Sequence, residues 1–360
     1  MKKLLLFTNS IPKYRLSVYN ELGKLYDFTV AHYGKAIFEE ETNFKQIILH
    51  PKKFGPFIFF KENIYKIAKK FNAVLAMGEL GVIPYMLLGF HNNRKFSLTF
   101  WGGDVSFSYS KHYDEDRRFD RIRFYLMNRA DSLAFYCSYP VNRYVIDGGI
   151  QRNKLFVAHN TVYIPDKIEI PLEKKYFIFV GTLYKAKKIY DLLNAYLNAY
   201  NKNKDLQPLV IVGDGDETRN IKNWINNQNL NNKIELKGAI YDEDVLKDLF
   251  RDAISCISPG QAGLSVLSSM AYGVPFTTSL NAITGGEIFN ISNDVNGFLY
   301  DGSVAELTSI ILKLSSNSFE VQRLSNNAQQ YYFENATISI MVKGLTDSIE
   351  YAMNIRANDF

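Results

Sequence analysis

Short apolar runs and longer amphipathic stretches alternate along this chain in two successive series. The first series of apolar runs is KLLLFTN, DFTVAHY, FKQIILH, AVLAMG, KFSLTFWG, SLAFYCS and KLFVAHN. Helical patterns fall between them at about 14–25, 61–70, 82–90, 117–130 and 139–147. The runs are apolar throughout instead of alternating with polar residues, as strands are when helices cover both faces of a sheet. TVYIPDKIEIPLEKKY follows, with two prolines and mixed charge, and reads as a linker. The series then restarts with KYFIFVGT, PLVIVGDG, KIELKGA, AISCIS, PFTTS and NGFLY. Helices are predicted over about 188–201, 216–228, 242–252 and 263–272, then 303–315, 319–333 and 338–355. The pattern predicts an α/β fold of two Rossmann-like doubly wound domains, 1–165 and 166–337, with 338–360 as a final helix. Ligands of such sheets bind outside the carboxyl ends of the strands, so two domains facing each other would form a cleft there.

Composition changes this picture in one place. At 360 residues the chain is long enough for two cores. Cys137 and Cys256 lie inside apolar runs, so they are expected in the core and not in a disulfide or metal site. MKKLLLF has too short an apolar run for a signal peptide and is expected to be the first buried strand of a cytoplasmic protein. The most apolar longer stretch, Ala73 to Phe90, is broken by Glu79, Gly81 and Pro84, so no transmembrane helix is expected. The net charge of +5 is uneven: residues 1–165 carry 24 Lys/Arg against 14 Asp/Glu, and residues 166–360 carry 18 against 23.

The basic half concentrates its charge beside aromatic rings. Lys52 to Lys70 holds six lysines around Phe54, Phe57, Phe59, Phe60 and Tyr65. Arg117 to Arg129 holds five arginines around Phe119, Phe124 and Tyr125. Cations beside rings suit an anionic membrane surface, and peripheral contact with the inner face of the cell membrane is expected. No nucleic-acid motif accompanies them. Two amphipathic helices with aromatic cores would carry the same composition.

Candidate chemistry gathers at strand ends. Gly181 closes FIFV, and Lys185, Lys187 and Lys188 crowd the loop after it, where an anion could bind or where lysines could simply be solvated. SPGQAGLS leads into a small-residue helix. Gly260 and Gly263 would leave the backbone N–H groups bare for a phosphate, and Ser265 adds a hydroxyl; close packing of small residues is the alternative. No G-x-x-x-x-G-K-[ST] loop is present, which excludes a Walker ATPase. Asp214 in VGDGDE, Glu287 in ITGGEIFN and Asp104 in FWGGD each follow a strand, as sugar-hydroxyl acceptors or as turn formers.

Together, GxL-xxx-K at 181–187, VGDG at 212–215, PGxxGLSxxxxMAYGxP at 259–275, GGE at 285–287, NGFLY at 296–300 and AHNT at 158–161 resemble the family 4 glycosyltransferases. The resemblance implies a GT-B fold, a nucleotide-sugar donor on the second domain and a glycan or lipid-linked acceptor on the first. Carried over by position, it implies donor contacts at Gly181, Thr182, Lys187, Gly213, Asp214, Gly260, Gln261, Gly263, Leu264, Ser265, Gly286 and Glu287. Acceptor contacts are expected at Arg15, Gly102, Gly103 and Asp104, with Lys187, Asp104 and Glu287 as the catalytic set. The chain departs from the family at its E-x(7)-E pair, where Gly260 and Ser268 stand, and at the usual arginine, where Thr182 stands. The helix start and Lys187 could hold a departing diphosphate without a metal, and no cofactor is expected. The expected activity is a hexosyl transfer, retaining by family, in surface polysaccharide assembly of the capsule or O-antigen kind. A non-catalytic nucleotide-sugar or glycan binder on the same fold is the rival, and an epimerase has only the architecture behind it.

Overall fold

In the computed structural model the described residues are 1–36, 41–91, 93–102, 118–164 and 167–358. They divide into two compact units. One holds the described residues up to Tyr163 together with those from Thr337 onward, and the other runs from Ile164 to Ala336.

The strands of the first unit are β1 (Lys3–Thr8), β2 (Asp27–His32), β3 (Lys45–Ile48), β4 (Pro51–Phe54), β5 (Phe57–Phe60), β6 (Ala73–Met77), β7 (Ser97–Trp101), β8 (Ser132–Phe135) and β9 (Leu155–Val157). Seven of them form a parallel sheet in the order β3-β2-β1-β6-β7-β8-β9. The central strands are buried on both faces: Leu4, Leu5, Leu6 and Phe7 have no exposed surface. Each such side chain contributes roughly 1.5–3 kcal/mol. The terminal helix Ile338–Asn358 packs on this sheet through Met341, Leu345 and Ile349. Ser132 Oγ donates to the Ser348 carbonyl (2.9 Å), and Arg356 Nε donates to Asp131 (3.0 Å).

The second unit repeats the plan with β10 (Tyr176–Val180), β11 (Leu209–Val212), β12 (Ile234–Gly238), β13 (Ala253–Ile257), β14 (Gln261–Ala262), β15 (Phe276–Ser279), β16 (Ile283–Thr284) and β17 (Gly297–Tyr300). Its main sheet runs β12-β11-β10-β13-β15-β17, all parallel. In both sheets the order reverses direction next to the first strand, between β1 and β6 and between β10 and β13. That reversal is where doubly wound sheets open a crevice at their carboxyl ends.

The structure departs from the sequence reading at the surface. β4 and β5 form an antiparallel hairpin turned at Gly55–Pro56, with Gly55 at φ 57°. The basic stretch 52–70 is therefore a hairpin followed by a five-residue helix, Ile64–Ala68. Phe60 packs against Tyr33 and Tyr85, whereas Phe54 and Phe57 remain 66% and 45% exposed. In the second basic stretch Phe119, just before the helix Asp120–Met127, and Tyr125, on it, are exposed. The Arg129 guanidinium lies over the rings of Phe90 and Tyr125.

Candidate donor site

The carboxyl ends of β10 and β11 meet backbone to backbone. Gly213 has φ 148°, and a Cβ there would fall on the Gly181 carbonyl oxygen, so only glycine fits. Leu183 N–H donates to the Asp214 carbonyl (3.0 Å), and Glu217 N–H to the Leu183 carbonyl (3.0 Å), stapling the two loops. The Asp214 carboxylate serves this turn: it accepts from Gly215 N–H (2.8 Å) and Thr218 Oγ1 (2.6 Å), which hold its pKa below the usual range. Asp214 acts here as a turn former.

The turn Lys185–Lys187 then sorts its lysines. Lys185 and Lys188 are exposed, while Lys187 is buried. Its ammonium lies at the end of β10, where a Cβ built on Gly181 would be 3.2 Å from Nζ. The Tyr184 ring lies 5.7 Å away, and among the described residues no hydrogen bond or ion pair reaches the ammonium. Burial lowers the Lys187 pKa from its ordinary value of 10.5. The acidic group felt by the ammonium is the Cys256 thiol, which burial pushes up to about 12 and keeps neutral. A desolvated cation without a counter-charge favours an incoming anion.

Gly260 faces this turn. Its N–H donates to the Lys187 carbonyl (3.1 Å), and a Cβ on it would fall on the Ala186 carbonyl oxygen. The bare backbone at Gly260 thus makes room for the lysine turn. Gly263 differs: nothing nearer than the Gln261 side-chain nitrogen, at 4.0 Å, approaches its Cβ position. Gln261 accepts from the Tyr184 hydroxyl (2.6 Å), and its strand β14 pairs with β16. Leu264 and half-buried Ser265 open the seven-residue helix Ser265–Ala271.

From β16 the chain turns through Gly286, at φ 118°, into Glu287. Glu287 is 6% exposed, and its carboxylate accepts from Gly285 N–H (2.9 Å) and Thr284 Oγ1 (3.4 Å). The Thr284 hydroxyl in turn accepts from Gly286 and Ile288 N–H (both 3.1 Å). Glu287 therefore holds its own turn, whatever else it touches. Glu287→Gln is expected to lower stability by about 1 kcal/mol through weakening of these bonds. A melting temperature unchanged within error would remove the turn-holding role.

In the first unit, Gly102 ends β7 at φ 152°, donating to the Ala134 carbonyl (3.1 Å). Gly103 and Asp104 lie outside the described residues. Arg15 is only 4% exposed: it donates to Met341 Sδ (3.1 Å) beneath the rings of Tyr14, Trp101 and Tyr136, about 5 Å away. The sequence singled it out as an acceptor contact; the fold gives it a packing position against the terminal helix. Among the described residues no group of acids, histidines or cysteines is arranged to hold a metal, and no helix is long and apolar enough to cross a membrane.

Comparison with known proteins places this geometry. Residues 163–331 match the family model of glycosyl transferases group 1. An uncharacterized glycosyltransferase of Methanocaldococcus jannaschii, MJ1069, is 29% identical over 161 residues, 44% of this chain and 38% of that relative's length. The crystal structure of Anabaena HepE in complex with UDP superposes with a TM-score of 0.72 at 14% identity, covering 97% of this chain and 100% of that one. HepE with UDP-glucose gives 0.69 at 15% identity, with the same coverage. A glycosyltransferase from Rickettsia africae gives 0.71 at 17% identity, covering 97% and 98%.

Proposed function

We propose, from the match of residues 163–331 to the glycosyl transferases group 1 and from the GT-B fold, that this chain moves a sugar from a nucleotide-sugar donor to a glycan or lipid-linked acceptor. The observation that carries the reading is Lys187, a buried ammonium at the strand ends of the second unit that has no hydrogen-bond or ion-pair partner among the described residues. A diphosphate supplies the missing charge. As the bond to the sugar breaks, negative charge grows on the leaving diphosphate, and a cation already in place stabilises it without reorganising. The open backbone at Gly263, three residues beyond the Gly260 N–H that meets the Lys187 carbonyl, would admit the phosphates. HepE's complexes with UDP and UDP-glucose favour a uridine donor. Retention of anomeric configuration and a place in surface polysaccharide assembly are proposed with it, from the resemblance alone.

Among the described residues no carboxylate pair is arranged to hold a divalent ion, and transfer is proposed to run without one. Turnover of UDP-, GDP- and ADP-sugars, each with and without EDTA, tests the reading. Release of one nucleoside diphosphate, unaffected by EDTA, supports it. No turnover with any donor, together with tight binding of one, would favour the non-catalytic binder.

Peripheral membrane contact is proposed through the hairpin of β4 and β5. Exposed Phe54 and Phe57 stand beside exposed Lys52 and Lys53 there, and lysine is worth about 1 kcal/mol each near an anionic leaflet. The expected result is sedimentation with vesicles containing phosphatidylglycerol, loss of binding in high salt, and about 30-fold weaker binding for Lys52→Gln/Lys53→Gln. Equal partitioning to neutral vesicles, or none to either kind, would remove the membrane contact.

A further inference from the structure

Glu79 is a carboxylate that the reading above leaves without a task. It follows β6 by two residues, at the carboxyl end of the strand that borders the reversal between β1 and β6. Its backbone is engaged: N–H donates to the Met77 carbonyl (2.9 Å), and its carbonyl accepts from Val82 N–H (3.0 Å). Its side chain is half-buried and has no hydrogen-bond or ion-pair partner among the described residues. Burial raises its carboxyl above the ordinary range, and among the described residues no cation offsets that rise.

The neighbours define what could approach. Tyr33, Tyr85 and Tyr136 lie close enough for their phenols to feel the carboxylate. Tyr85 points its hydroxyl at the Thr8 carbonyl (3.5 Å) and stacks on Phe60, which also meets Tyr33. The result is an acceptor-only carboxylate near buried or half-buried tyrosines, with Tyr85 packed against both Phe7 and Phe60. A phosphate or carboxylate ligand would meet repulsion there. A neutral polyol would give the carboxylate O–H donors. A half-buried carboxylate without a partner is costly to keep, and binding sites are where such costs persist.

We propose that Glu79 binds a hydroxyl group of the acceptor sugar and so helps select a neutral glycosyl acceptor in the first unit. The proposal rests on the transferase reading for the word acceptor, and its test separates the two. The full chain is titrated with methyl α- and β-glycosides of glucose, galactose and N-acetylglucosamine, read by saturation-transfer NMR without donor. In parallel, UDP release from UDP-glucose into water is followed. The expected result is that wild-type protein binds at least one glycoside and Glu79→Gln binds it at least 10-fold more weakly. UDP release into water should stay within two-fold, and the melting temperature should be no lower than wild type. Equal binding by both proteins, or a marked drop in melting temperature for Glu79→Gln, overturns the assignment. Binding by neither protein overturns it too, while the UDP-release arm still judges the donor site by itself. Loss of UDP release with normal glycoside binding would fault the transferase reading and the role given to Glu79 together.

Discussion

Lys187→Ala lowers kcat/KM for the nucleotide-sugar by at least about 30-fold, equivalent to ~2 kcal/mol of lost stabilisation of a developing anion. The melting temperature of this variant should rise or stay level. The substitution removes a buried ammonium that has no counter-charge, at the expense of a small cavity. A pH profile separates electrostatics from shape. Burial lowers the ammonium's pKa below 10.5, so the free site loses its charge as pH rises through that lowered value. A bound diphosphate favours the charged form and draws the pKa back up. Affinity for UDP should therefore fall on the alkaline side while still below pH 10.5, with proton uptake on binding there. In Lys187→Ala the same profile should be flat. An alanine variant with wild-type kcat/KM, or one that keeps the alkaline fall, would show that another group meets the phosphates.

Gly260→Ala should be at least as damaging, by a different route. An added methyl falls on the Ala186 carbonyl oxygen and within 3 Å of the Lys187 backbone, so the lysine turn must move. Overpacking of this kind costs about 1–3 kcal/mol in stability. Displacing the ammonium by about 1 Å is enough for a loss near 100-fold in kcat/KM. Gly263→Ala is the matched control: its Cβ meets open space, so stability should hold, and any loss should appear in donor affinity. Equal, small effects at Gly260 and Gly263 would contradict the turn's role. With the lysine turn hydrogen-bonded against it, position 260 has no volume for a side chain.

Much of the fold is legible before any coordinates. Both-face burial makes strands such as KLLLFT and AISCI continuous apolar runs, and the intervening helices carry their own period. What escapes is structure that does not depend on a buried face. The hairpin of β4 and β5 is exposed along most of its length, so its residues carry lysine and phenylalanine in no core-like pattern. The dipeptide Gly55–Pro56 was the available signal. The two-residue strands β14 and β16 are too short to have a period at all.

The site divides in the same manner. Strand ends, glycines and lysines announce themselves in the sequence, but which of Lys185, Lys187 and Lys188 is buried depends on how one tight turn folds. Gly260 and Gly263 look alike in SPGQAGLS. One is packed against backbone and the other open, a difference that comes from a loop some 75 residues earlier in the chain. Arg15 is expected from the sequence as an acceptor contact, yet its guanidinium is covered by three rings and bonded to a methionine of the terminal helix. Glu79 enters the sequence reading as a charge that interrupts an apolar stretch. Its position beside the β1–β6 reversal appears only with the strand order.

The most direct measurement is a crystal structure of the whole chain with the nucleoside diphosphate, among UDP, GDP and ADP, that raises its melting temperature most. The account predicts a diphosphate oxygen about 2.7–2.9 Å from Lys187 Nζ, with its phosphates against the backbone near Gly263. A nucleotide bound with its phosphates away from Lys187, or no binding by any of the three, would contradict it.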